Sequence, residues 1–173
     1  MDKLQLRKWM RTQLSQISAS EISRQSQTLV SILMSCMSQY HVWAIYLPLQ
    51  TEPDLTWLYQ HLSHHGNVLV VPHLIDGHYV RCRYDAQTQL DHTGAYPQII
   101  NPVIYQGPVD VILVPGLAFD HWWHRLGRGG WWYDRLLSQI QHIHKIGLCF
   151  DIQYLEMIST EPHDIQMDQV LYG

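Results

Sequence analysis

Residues 119–135 read FDHWWHRLGRGGWWYDR, a concentration of cations, glycines and aromatic rings closed by a carboxylate. Arg125 and Arg128 present forked, permanently ionised donors of the kind that hold phosphate. Gly127, Gly129 and Gly130 let a backbone approach a ligand and aim successive amides at it, although the same spacing also suits an unliganded surface turn. Asp134 closes the stretch, and Asp168 stands near the end of the chain. Each is a candidate oxygen ligand for magnesium, which takes one or two carboxylates together with water and nucleotide phosphates. Their sequence separation does not by itself place them at one site. The lysine and hydroxyl of a Walker loop are missing, and so is the dinucleotide fingerprint, so a phosphate reading rests on the arginines and glycines. Trp122, Trp123, Trp131, Trp132 and Tyr133, joined by Tyr46 and Tyr96, could stack on a flat heterocycle or equally cover a core beneath the loop.

Other chemistries find less support. The chain has 12 histidines, with His121 and His124 in this stretch and His142 and His144 after it, but no Cys/His quartet with zinc spacing exists. A Gly-x-Ser-x-Gly elbow for Ser/His/Asp hydrolysis is also absent. A formal charge of -4 gives no field for nucleic acid or an anionic membrane, so an anionic ligand must be held by a local cluster. Cys36, Cys82 and Cys149 are scattered and odd in number, which predicts buried free thiols instead of a disulfide framework. The first 17 residues are charged and amphipathic, unlike a secretory signal, and no run is long enough to span a bilayer, which predicts a cytoplasmic protein.

The elements that must position this chemistry follow from periodicity. At 173 residues with 46% hydrophobic and 15% charged residues, the chain suits one globular domain. Leu6, Trp9, Met10, Leu14 and Ile17 recur at helical spacing, with Lys3, Arg7, Lys8 and Arg11 on the other faces. Ser18 and Glu21 read as a reciprocal capping box opening a second helix. Residues 42–47 predict a buried strand, Asp54 caps a helix through Leu55, Leu58, Tyr59 and Leu62, and residues 68–71 predict a strand stopped by Pro72. Asp76-Gly77 signals a hairpin, and residues 85–108 read as loop with at most short elements. Residues 109–114 form the best buried-strand candidate and deliver the chain into the opening stretch, beyond the carboxyl end of a strand, where open α/β sheets bind ligands. A helix through Leu136, Leu137, Ile140 and residue 143 or 144 follows, then a strand at 146–150. This alternation predicts an α/β sandwich with a mostly parallel sheet.

The run VPGLAFD at 114–120, followed by RLGRGG at 125–130 and by Tyr133-Asp134, resembles the signature of the 5-formyltetrahydrofolate cyclo-ligase family, also called methenyltetrahydrofolate synthetase. Ordered matches flank it: Lys3 with Leu6-Arg7, Glu52, Pro72, Asp164 and the run 167–172. The resemblance implies a single α/β domain over residues 1–173, with a mostly parallel central sheet flanked by helices in a three-layer sandwich of the CoA-transferase kind. It implies an ATP- and magnesium-dependent ligase of one-carbon metabolism that cyclises 5-formyltetrahydrofolate to 5,10-methenyltetrahydrofolate with release of ADP and phosphate. By the same resemblance Lys3 and Arg7 match a phosphate-binding pair, and Arg125, Leu126, Gly127, Arg128, Gly129 and Gly130 match the ATP loop. Glu52 and Trp132 match folate contacts, Tyr133 lies with Arg125 at the reacting group, and Asp134 and Asp168 match magnesium ligands. The implied partner is the small-molecule folate, without nucleic acid or membrane, and the implied state is a monomer. Trp131 and Trp123 stand where the family usually has glycine, and Asn101 where it commonly has glutamate. Trp131 predicts strain if its position needs positive φ. Two functions therefore stay open: an active cyclo-ligase, or a family member that binds folate or nucleotide without turnover.

Overall fold

In the computed structural model of the chain, which describes residues 1–35, 37–94, 96–130, 132–139 and 143–173, with the backbone alone for Met37 and Trp132, each central strand sends alternate side chains to opposite faces. Trp43 of β1 (Val42–Ala44) faces one core with Leu69 and Val71 of β2 (Val68–Ile75), while Val42 and Ala44 face another with Val70. Apolar residues at both parities demand cover on both sides, as in a parallel sheet. Leu29, Val30 and Leu33 of α2 (Ala19–Ser35) and Leu58, Tyr59 and Leu62 of α3 (Thr56–His64) cover the first face. Leu136 and Leu137 of α4 (Trp132–Ser138) cover the second. The result is the three-layer α/β sandwich expected.

Further along the chain come β3 (His78–Tyr84), β4 (Leu90–Asp91), β5 (Gln98–Ile99), β6 (Val111–Pro115), β7 (Ala118–Asp120), β8 (Arg125–Leu126), β9 (His144–Cys149), β10 (Tyr154–Leu155) and β11 (Gln169–Tyr172). The main sheet runs β11-β9-β6-β1-β2-β3, parallel throughout except for β3, which returns antiparallel to β2. The hairpin turn sits at Asp76 and Gly77, with φ of 49° and 80°, the left-handed pair of a type I′ turn. Strands β10, β7 and β8 form a small second sheet against which α1 (Lys3–Leu14) buries Leu6, Met10 and Leu14.

Several expectations change. Strand β2 continues through Pro72 instead of stopping before it. Pro72 pairs with Arg81, whose carbonyl accepts from Tyr105 on its outer side. The missing N–H therefore points away from β3, past the last β1 pairing at Val70, where no ladder bond is lost. Helix α4 ends at Ser138, and His144 starts a strand instead of continuing the helix. The tail at 169–172 is an edge strand, and β7, β8 and β10 are two or three residues long, too short to leave a periodic signal. Ser18 Oγ accepts from Glu21 N at 3.2 Å, but the Glu21 carboxylate turns to Arg24 and Gln25, so only half of the capping box forms. The reciprocal box opens α1 instead, between Asp2 and Gln5. Asp54 accepts from Thr56 N, but it stands two residues before the helix starts and Leu55 occupies the cap position. Cys82 and Cys149 are buried free thiols as expected, whereas Cys36, Trp131, Ile140 and His142 lie outside the described residues. No described helix is long and apolar enough to cross a membrane.

Phe119 is fully buried between the two sheets, and its ring leaves no room above Gly147 of β9: a Cβ there would meet a ring carbon at 2.5 Å. Gly147→Ala should therefore destabilise the fold by about 2 kcal/mol through overpacking. Chemical denaturation checks this, and Phe119→Leu in the same background should recover part of the loss.

Candidate functional site

The parallel strands β1, β2 and β6 end along one edge of the main sheet, and a cavity of about 860 Å³ opens there. It is lined by residues 45–47 after β1, Pro115 at the end of β6, the second half of β2, the N-terminal turns of α1, the loop 125–130 and residues 161–164. Of the residues singled out in the sequence, Lys3, Arg7, Glu52, Arg125, Leu126, Gly127, Arg128, Gly129, Gly130, Tyr133 and Asp134 all line it. The side chain of Trp132 lies outside the described residues.

Charges are paired around the wall. Arg125, at 6% exposure, donates from Nη2 to Asp134 Oδ1 at 2.6 Å and from Nη1 to the Pro115 carbonyl at 3.4 Å. Its guanidinium lies 5.5 Å from the Tyr133 ring centroid. Its buried Nε has no hydrogen-bond partner among the described residues. Arg128 donates from Nε to Glu52 Oε1 at 3.0 Å and from Nη2 to Thr51 Oγ1 at 3.2 Å. Two cations of α1 hold the loop backbone: Arg7 Nε donates to the Gly127 carbonyl at 3.0 Å and Arg11 Nη2 to the Arg128 carbonyl at 2.9 Å. Gly129, between them and the next turn, has φ of 100°, a conformation other residues resist. Burial and the charge of Glu52 push the Tyr133 hydroxyl well above its usual value, against a smaller lowering by Arg125. Tyr133 is therefore a neutral donor at any working pH.

The C-terminal segment contributes Asp164, used in the sequence only as a match, together with Glu161 and His163, which sequence reasoning had missed. Lys3 Nζ donates to Asp164 Oδ2 at 2.6 Å and to Glu161 Oε2 at 3.2 Å. Glu161, His163 and Asp164 offer ligand atoms within 4.8 Å of one another. Partial burial is the largest single effect on the Asp164 carboxyl and raises it, but the hydrogen bonds from Lys3 and the Glu161 amide and the charges of Lys3 and His163 together outweigh it, and the net shift is downward. No periodic or motif signal could have found this cluster, because Lys3 and Asp164 meet only through the tertiary fold.

Asp168 requires a correction. It accepts from Lys145 N at 2.8 Å and pairs with Lys145 Nζ at 2.7 Å, just before β11 and beside the start of β9. That is the amino-terminal edge of the sheet, opposite the cavity, so Asp168 and Asp134 do not form one site. Among the aromatic candidates Tyr46, Tyr96 and Tyr133 line the cavity, whereas Trp122 and Trp123 are exposed and do not.

The family model for the 5-formyltetrahydrofolate cyclo-ligase family matches residues 1–173. The chain belongs to that family. Its relatives include the 5-formyltetrahydrofolate cyclo-ligase of Mus musculus, 26% identical over 96% of this chain and 91% of that one. The Escherichia coli K12 enzyme of the same name is 29% identical over 76% of this chain and 77% of its own. Among solved structures, the 5,10-methenyltetrahydrofolate synthetase of Aquifex aeolicus superposes with a TM-score of 0.87 at 28% identity, covering 99% of this chain and 90% of that one. The Mycoplasma pneumoniae synthetase, at 24% identity and a TM-score of 0.76 over 98% of both chains, shares the fold.

Within this cyclo-ligase framework the departures acquire a physical meaning. Asp120, fully buried, accepts from the amides of Trp122, His124 and Ile158 and faces His124 Nδ1, and these bonds fold the loop after β7 into a tight turn. Trp123 closes that turn with φ of 64°, so left-handed strain falls at Trp123, where the sequence had given no reason to expect it. Trp131 lies outside the described residues. Asn101, with φ of 54°, occupies a conformation that asparagine tolerates, and it does not line the cavity. Because Trp123 is half-exposed, shape outweighs burial there. Trp123→Gly should exceed Trp123→Ala in stability by about 1 kcal/mol, measured by thermal unfolding of the two variants. Equal stabilities would refute left-handed strain at this position.

Proposed function

We propose that the chain cyclises 5-formyltetrahydrofolate to 5,10-methenyltetrahydrofolate at the expense of ATP, releasing ADP and phosphate. The observation that carries this reading is the convergence of Arg7, Arg125, Arg128 and Lys3 on one cavity that also holds Glu52, Tyr133 and Asp134, in a chain that belongs to the cyclo-ligase family. The cavity volume lies in the upper part of the range for ligand sites, as two substrates require.

In the reaction the formyl oxygen attacks the terminal phosphorus of ATP, an O–P bond forms, and the bond to the ADP oxygen breaks. The neighbouring folate nitrogen then attacks the activated carbon and gives up its N–H proton, and the carbon–oxygen bond breaks with phosphate leaving and taking up that proton, which yields the cyclic cation. Such chemistry asks the protein for alignment and charge neutralisation more than for proton transfer. The loop 125–130 and the cations of α1 supply positive charge on one wall, and the unpartnered Nε of Arg125 supplies a donor for a phosphate oxygen. Leu47, Leu49, Val71, Pro72 and Tyr96 also line the cavity and give it the apolar character that a flat heterocycle needs. Glu52 is the acid for the folate ring, and Tyr133 orients the formyl group with a neutral hydroxyl.

Asp134 and Asp164, cavity-lining carboxylates of the hard-oxygen kind that magnesium takes, would hold the metal. When bound, magnesium neutralises phosphate charge as a Lewis acid. A cytoplasmic monomer completes the proposal, in keeping with the absence among the described residues of a helix able to cross a membrane.

Phosphate release assayed with ATP, magnesium and 5-formyltetrahydrofolate should be folate-dependent and accompanied by absorbance of the cyclic product. Binding of both substrates without release would assign the chain a binding role instead. Arg125→Lys keeps a cation but loses the fork, and it should lower kcat by about 10²-fold. Arg125→Ala should also cost about 3 kcal/mol of stability by stranding Asp134 beside an empty site. The lysine variant, more than the alanine, therefore separates catalysis from folding.

A further inference from the structure

Arg128 stands between two claims on its guanidinium. It lies in the loop proposed to hold phosphate, yet its Nε and Nη2 are engaged with Glu52 at 3.0 and 2.9 Å. Both oxygens of Glu52 are engaged. Its Oε1 takes Arg128, its Oε2 accepts from the Leu49 amide at 3.0 Å, and the residue is only 5% exposed. With Arg128 in place the carboxylate presents little free surface to the cavity it lines.

We infer that Arg128 exchanges Glu52 for the nucleotide's phosphate, so that nucleotide binding uncovers Glu52 for the folate. The inference rests on the assignment, made above, of phosphate to the loop and of folate to Glu52. The fold favours a side-chain swing over a loop movement, because the carbonyls of Gly127 and Arg128 are held from α1 by Arg7 and Arg11. A polyphosphate offers the guanidinium forked acceptors and more negative charge than a single carboxylate. Once Arg128 has left, Glu52 keeps the Leu49 amide alone, and a buried carboxylate so depleted strongly favours new donors. A folate ring bearing N–H groups provides them.

Thr51 belongs to the same device, because its hydroxyl accepts from Arg128 Nη2 at 3.2 Å in the covered state. In the free protein only the small fraction with Glu52 uncovered accepts folate, and the apparent affinity falls by that fraction. The linkage is reciprocal: whatever factor nucleotide adds to folate binding, folate adds to nucleotide binding.

Isothermal titration of the full chain with 5-formyltetrahydrofolate, with and without a saturating non-hydrolysable ATP analogue and magnesium, tests the exchange. The folate Kd should fall roughly ten-fold with the analogue present, and the analogue's Kd should fall by the same factor with folate present. Arg128→Gln should bind folate without nucleotide about as tightly as the analogue-loaded wild type, and should gain nothing further from the analogue. Thr51→Val, which removes one contact of the covered state and leaves Arg128 in place, should tighten nucleotide-free folate binding roughly three-fold. Equal folate affinity with and without bound analogue in the wild type overturns the exchange and leaves the proposed reaction standing. Undiminished coupling in Arg128→Gln overturns it as well. Binding of neither ligand overturns both the exchange and the reaction.

Discussion

Parallel pairing of β1, β6, β9 and β11 is the constraint from which the site follows. Parallel strands need crossovers that return the chain to the same starting edge, so every strand delivers its carboxyl end to the opposite one. The turn after β1 that carries Glu52, and the loop after β6 that leads into 125–130, consequently open on one edge of the sheet. The same direction removes Asp168. It precedes β11, so it lies at the edge where the strands begin, paired with Lys145 at the start of β9. Asp164, a few residues earlier, is still on the cavity wall beside Lys3.

The cavity wall is electrically balanced. Arg125 faces Asp134, Arg128 faces Glu52, and Lys3 faces Glu161 and Asp164. Burying cations near the sheet is tolerable only because each meets a carboxylate or carbonyl, and an unpaired buried charge would cost several kcal/mol. Arg7 and Arg11 serve the architecture differently, holding loop carbonyls so that the glycine-rich segment keeps its shape. In the exchange proposed above, Arg125 stays held against Asp134 while Arg128 is the donor that leaves its carboxylate. Asp120 extends the scheme to the turn after β7, where one buried carboxylate satisfies three backbone amides.

Much of this was legible in the chain. The β6 strand, the hairpin at Asp76-Gly77, the amphipathic α1 and the phosphate-suited loop each carry a local signal of period, turn chemistry or composition. Strands β7, β8 and β10 carry none, since two or three residues cannot display a period. Pro72 misled because the usual rule for proline in strands ignores which side of the strand is paired. In the sequence Arg125 shows only its phosphate-holding chemistry, and its burial against Asp134 and Tyr133 adds that it also supports the fold.

The sequence by itself determined the α/β class, the residues that form the loop and its chemistry, and, through ordered motifs, the family. These are properties of neighbouring residues, and neighbours impose their preferences wherever the chain goes. The tertiary structure decided which distant groups meet: Lys3 with Asp164, Arg128 with Glu52, and Asp168 with Lys145 instead of with Asp134. Such pairings depend on strand order and direction, and these are set by burying apolar surface on both faces of the sheet, to which no single motif contributes more than a small part.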